Sequence, residues 1–172
     1  MPGRGLRIVM IAWLVASGAH AEEVEAQSAC FEGEVLLHVR AQFEHYGPRS
    51  EQNEFFGFIY RRDGRVESAV TRGTNCGRQS DCVVNPVFAL RRIPKGAKVL
   101  GEWHTHPRIG TRDLSLDDVR GANENRHIPC YSAFYSSPDG EIFLWNIAAT
   151  SVAAAMASRT PAGNYRAQQA QL

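Results

Sequence analysis

Two of the chain's six histidines stand two residues apart in the stretch "LGEWHTHP", residues 100–107. A strand alternates its faces, so His104 and His106 point to the same side and offer two nitrogen donors to one ion. A catalytic zinc takes three protein ligands and keeps a fourth position for water. The third ligand has to come from elsewhere in the chain. "SLDD", residues 115–118, reads as a helix start with acid in its first turn, and a helix returning over the strand end brings Asp118 to the histidines. The water then needs a base that takes its proton and hands it to a leaving amine. Glu54 heads the otherwise apolar stretch "NEFFGFIY", where burying a carboxylate without a partner is costly. Glu102 shares the strand face of His104 and His106 and is the rival carboxylate.

The elements that position these residues follow from periodicity. "GEVLLHVRAQFEHYG" places Val35, Leu36, Val39, Phe43 and Tyr46 on one helical stripe, and Gly47-Pro48 ends it. Residues 53–73 read as two strands joined at Asp63-Gly64, a strong hairpin signal. Residues 73–86 form a polar loop bracketed by cysteines, and a Pro-Lys-Gly turn precedes a strand over residues 98–105. A short helix over 115–125 is followed by the strand pair "CYSAFYSS" and "EIFLWNIA", joined at "PDG". His38 and His45 fall on the solvated face of the first helix, and His127 reads as a helix C-terminal cap. Trp103 faces the core or the groove floor, and Phe143 and Trp145 read as sheet packing. The order predicts an α/β domain with a mixed central sheet flanked by helices.

With these residues in place the chain resembles the JAMM (MPN-type, or JAB-domain) zinc metalloproteases. Their motif is an upstream glutamate, then H-x-H-P, then a serine followed three residues later by aspartate. Glu54 matches the glutamate, with Gly57 at the glycine common after it. His104, His106 and Pro107 match the H-x-H-P, and Ser115 and Asp118 match the S-x-x-D. The resemblance spans roughly residues 33–145. It implies the JAB/MPN architecture, broadly similar to that of cytidine deaminases. It also implies a zinc ion on His104, His106 and Asp118, with Glu54 as general acid/base and Ser115 helping to hold the oxyanion. One departure stands out: "PRIGTRDL" is one residue longer than the usual spacing between the second histidine and the serine. That extra residue leaves Asp117 and Asp113 as alternative ligands. The implied function is hydrolysis of an amide or isopeptide bond in a peptide or protein, such as a cell-wall cross-link or an exported protein. Two alternatives stay open: a non-catalytic zinc-binding MPN-like scaffold, and a toxin or effector module of a secretion system. The zinc-deaminase pattern of H-x-E followed by P-C-x-x-C is not met, since the sequence holds no P-C-x-x-C.

The remaining composition sets the context. A short basic start, the apolar run "IVMIAWLVASGA" and the small-x-small "AHA" make residues 1–21 a signal peptide. The run is shorter than the roughly 20 residues of a membrane span, and no later stretch reaches that length. Residues 22–147 form the metallopeptidase-like domain, residues 148–172 a low-complexity C-terminal tail, and the expected location is periplasmic or secreted. Arg4 and Arg7 leave with the leader, so the remaining Lys and Arg nearly balance the 18 Asp and Glu. That balance, without a basic run, points away from nucleic acid. Four cysteines in an exported chain suggest two disulfides, with Cys76–Cys82 and Cys30–Cys130 the preferred pairing.

Overall fold

A hairpin opens the sheet. In the computed structural model, which describes residues 33–76, 83–109 and 113–164, β1 (Asn53–Arg62) turns into β2 (Arg65–Asn75) through Asp63 and Gly64. Both turn residues are left-handed, at φ 50° and 77°, the two-residue turn whose twist matches that of the strands. On its other edge β1 pairs antiparallel with β3 (Lys98–Thr105), setting Gly57 opposite Trp103 and Phe56 opposite His104. β3 then runs parallel to β4 (Ser132–Ser136), with His104 opposite Tyr135. β4, β5 (Glu141–Trp145) and β6 (Thr160–Asn164) continue antiparallel, giving one six-stranded mixed sheet in the order β2-β1-β3-β4-β5-β6. A parallel pair requires a crossover, and here it carries helix α3 (Leu116–Glu124) over one face.

The two faces bury different partners. Helix α1 (Gly33–Tyr46) presents Val35, Val39 and Phe43 at helical spacing to Ile59, Trp103, Phe134 and Ile142. Each such burial contributes about 1.5–3 kcal/mol. The chain then breaks at Gly47-Pro48, where a short 3-10 turn spans Gly47–Arg49. The opposite face packs α3 and α4 (Val152–Ala157) through Val119, Ala122 and Ala155 onto Tyr131, Tyr135, Phe143 and Trp145. Helix α2 (Pro86–Leu90) covers Phe56 and Phe58 on that same face through Ala89. His104 and Glu102 pair with Tyr135 and Ala133 and so belong to the α3 side, while Trp103 belongs to the α1 side.

Gly57 has a packing reason. The Trp103 indole lies across it, and a Cβ there would fall 2.6 Å from the ring. That ring is pinned, because its Nε1 donates to Ser68 Oγ at 3.0 Å and Phe43 meets it edge-on at 5.6 Å. Gly57→Ala is therefore expected to lower stability by about 1–2 kcal/mol through overpacking. Urea unfolding should show it as a lower midpoint at unchanged slope. A midpoint equal to wild type would mean that the indole slides aside freely.

Three expectations need correction or placing. The tail expected from residue 148 is structured as far as residue 164. Ser151 caps α4 by accepting from Ala154 N–H at 3.2 Å, and β6 joins the sheet edge through backbone pairing. Edge pairing of this kind demands no side-chain pattern, and Arg40 of α1 fixes it by donating from Nε and Nη2 to Ala162 O at 3.1 and 3.0 Å. His38 is half-buried rather than solvated: its Nε2 lies 2.9 Å from Ser68 Oγ, and burial lowers its pKa against the pull of Glu67 and Glu34. Neither Cys76 nor Cys130 is a free thiol. The partners preferred for them, Cys82 and Cys30, lie outside the described residues, as does the leader. No helix among the described residues is long and apolar enough to cross a membrane.

Candidate metal centre

The end of β3 is clamped before it delivers its histidines. Thr105, between them and facing the other side, is fully buried. Its hydroxyl accepts from Phe55 N–H at 3.0 Å and lies 2.6 Å from Ser50 Oγ, which is 2.9 Å from Tyr46 O. Each hydroxyl has one hydrogen, so the chain of bonds runs from Phe55 N–H through Thr105 and Ser50 to the end of α1. His106 N–H donates to Ser136 O at 3.0 Å, extending the parallel pairing one step further. Pro107 brings no N–H and ends the strand. His104 and His106 consequently lie side by side, with Nε2 atoms 3.0 Å apart. Tyr135 packs against both rings, at 6.1 and 5.3 Å, and Trp145 meets His104 edge-on at 5.8 Å.

The third group comes from the cap of α3. Ser115 is the N-cap: its Oγ accepts from Asp118 N–H at 3.1 Å, and Asp118 Oδ2 accepts from Ser115 N–H at 2.6 Å. This capping box fixes the carboxylate with its other oxygen, Oδ1, 3.8 Å from His104 Nε2. His104, His106 and Asp118 each bring one ligand atom to within 4.8 Å of the others. Ligands 2.0–2.2 Å from a tetrahedral zinc stand about 3.3–3.6 Å from one another, and the observed separations of 3.0 and 3.8 Å bracket that spacing. Asp117 is exposed and Asp113 is exposed, and neither belongs to the triad. The added loop residue therefore leaves the helix start in register, because the capping box, not the loop length, decides which aspartate turns inward.

Charge states suit a cation. Burial pushes His104 down to about 4, outweighing the pull of Asp118, and His106 lowers it further, so the imidazole is neutral as a metal ligand must be. Burial alone would raise Asp118, but His104, His106 and the bonds from Ser115 hold it below the usual carboxylate range. The donor set is two imidazole nitrogens and one carboxylate, which fits a divalent metal ion.

Two further carboxyls stand near. Glu54, 8 % exposed, sits on β1 two residues before Phe56, on the strand face that Phe56 shares with His104. Burial, and then the neighbouring Asp118 charge, raise its pKa well above the ordinary value. Glu102 is 4 % exposed, and Tyr131 Oη donates to its Oε2 at 2.5 Å, with Asn125 Nδ2 donating to Tyr131 Oη at 3.1 Å. Burial raises Glu102 to about 7, the Tyr131 bond opposing and Asp118 adding to the shift. The other histidines stand apart. His127 Nδ1 lies 2.9 Å from Glu124 O at the end of α3, and His45 pairs with Arg49 on the surface.

Sequence reasoning missed Tyr131 and α2. Tyr131, just before β4, alternates with Ala133 and Tyr135 on it, a period-two signal that becomes informative only once β4 is paired parallel to β3. No protein-family model matches the chain, and no curated protein matches it in sequence.

Proposed function

We propose that the chain is a zinc-dependent metallopeptidase of JAMM type with the JAB/MPN architecture, hydrolysing an amide or isopeptide bond of a peptide or protein. The observation that carries this reading is the His104–His106–Asp118 triad with Glu54 buried beside it and outside the ligand set. The N-terminal basic, apolar and small-residue pattern supports an action in the periplasm or outside the cell.

His104, His106 and Asp118 would hold the zinc, which would supply a Lewis acid for the scissile carbonyl and lower the pKa of a bound water. The chain's own residues do the rest. Glu54, whose burial raises its pKa and makes its carboxylate a stronger base than a free one, takes the proton of the attacking water and delivers it to the leaving nitrogen. Ser115 orients the carboxylate through its backbone N–H to Asp118 Oδ2, and its side-chain O–H, which accepts from Asp118 N–H, remains a donor for the developing oxyanion. Tyr135 and Trp145 exclude water behind the histidines and hold their rings in place.

Elemental analysis of the purified protein should find about one zinc per chain. Hydrolysis of an isopeptide panel should stop with a chelator and return with added zinc. Asp118→Ala is expected to weaken zinc binding by more than the roughly 10–100-fold that loss of an outer hydrogen-bond partner costs, and Asp117→Ala to leave it unchanged. Zinc loss in the Asp117 variant alone would reassign the ligand. Stoichiometric zinc with no hydrolysis of any substrate would favour the non-catalytic scaffold.

A further inference from the structure

A cleft of about 480 Å³ opens from His104 and Asp118 and runs along α3. Its β1 and α2 side is apolar, built from Phe56, Phe58, Val87 and Leu90. The α3 side carries Asp117, Gly121 and Glu124, and Glu102 lies between the two. Besides His104, the ionisable groups in the lining are the carboxyls of Glu102, Asp117, Asp118 and Glu124, and no Lys or Arg lines it among the described residues. The ion pairs among the described residues engage neither Asp117 nor Glu124. Tyr131 Oη donates to Oε2 of Glu102, which fixes that carboxyl at the cleft floor.

Gly121 adds an independent sign. It stands in the interior of α3, where glycine costs stability relative to alanine, yet a Cβ built there meets nothing within 4 Å. Neither backbone conformation nor packing asks for glycine at this point. What its small size does provide is width in the cleft, midway between Asp118 and Glu124. Those two residues are six apart, about 9 Å of helix.

We propose that this cleft is a specificity site for a lysine-like side chain of the substrate, an aliphatic stem ending in a free ammonium. The stem lies against Val87, Leu90 and Phe58, while the ammonium meets Glu124 and Asp117, as long cationic side chains combine apolar burial with a charged tip. The metallopeptidase reading matters only for placing the bond to be cut beside this side chain; binding in the cleft does not require the metal.

The test measures, by calorimetry, binding of acetyl-Ala-Lys-Ala-amide, its norleucine counterpart and its glutamate counterpart to the full chain, zinc-loaded and chelated. The lysine peptide should bind at least about tenfold more tightly than the norleucine peptide, with the glutamate peptide weakest. Glu124→Gln should bring lysine and norleucine within about threefold of each other. Gly121→Leu should lose binding by more than tenfold with its zinc content unchanged. Gly121→Ala should raise the melting temperature by about 2–4 °C, which shows that the helix itself accepts a side chain. Equal binding of lysine and norleucine peptides to the wild type overturns the proposal, as does no measurable binding of any peptide or wild-type lysine affinity in Gly121→Leu. Lysine-selective binding without zinc or hydrolysis would instead sink the metallopeptidase reading and leave the cleft assignment standing.

Discussion

On the proposed metallopeptidase reading, Glu54→Gln is expected to keep the zinc and lose turnover roughly 10²-fold or more, the scale of general acid–base catalysis. His104→Ala and His106→Ala are expected to lose the zinc itself. The contrast follows from where the groups stand. The histidines contribute ligand atoms at 3.0 Å separation, so removing one leaves two ligands of three. Glu54 contributes none, and glutamine keeps its volume in the strand while removing the oxygen that accepts a proton. Zinc content by elemental analysis and kcat on the same preparations separate the two effects. Zinc retained after loss of both histidines would mean that the site is elsewhere. A Glu54→Gln enzyme with wild-type kcat would move the base to another group, with Glu102 the nearest alternative.

Much of the site was legible because it rests on short-range rules. Alternation along residues 98–105 puts His104 and His106 on one face with no knowledge of the rest of the chain. Asp63-Gly64 announces the hairpin that sets Glu54 at the far end of β1, and Ser115 with Asp118 spells a capping box in the sequence. The S-x-x-D spacing favoured Asp118 in the sequence, but the longer loop kept Asp117 open as an alternative. Only the cap geometry, Ser115 N–H to Asp118 Oδ2, turns one carboxylate inward. β6 escaped the sequence because an edge strand pairs by backbone alone, and its Pro161 and Gly163 read as punctuation. His38 looked solvated because the first helix's exposed face was inferred from its own periodicity. The sheet it crosses brings Ser68 up to it. The cleft depends on α2, a five-residue helix inside a stretch read as loop and turn, and on its packing over Phe58.

Glu102 shows how such long-range placement becomes measurable. In the sequence it is a strand residue facing the histidines; in the fold the parallel strand β4 and the end of α3 close over it, and Tyr131 bonds its carboxyl. Burial raises its pKa from 4.5 to about 7, with Asp118 adding and Tyr131 opposing. The folded state thus holds a proton that the unfolded chain releases near pH 4.3. Stability must then fall as pH rises from about 4.5 to about 7, because over that window the native protein binds more protons than the unfolded one. The span corresponds to about 3 kcal/mol for this fully buried group. Glu102→Gln removes the titration and still offers an amide oxygen to Tyr131. In a chelator, which keeps metal binding out of the linkage, the variant should match wild type near pH 4.5 and exceed it by about 2–3 kcal/mol at pH 8. Urea unfolding across that range reads the difference directly. Parallel stability profiles for the two proteins would mean that Glu102 ionises freely in the fold, and that the floor of the cleft is wetter than its packing implies.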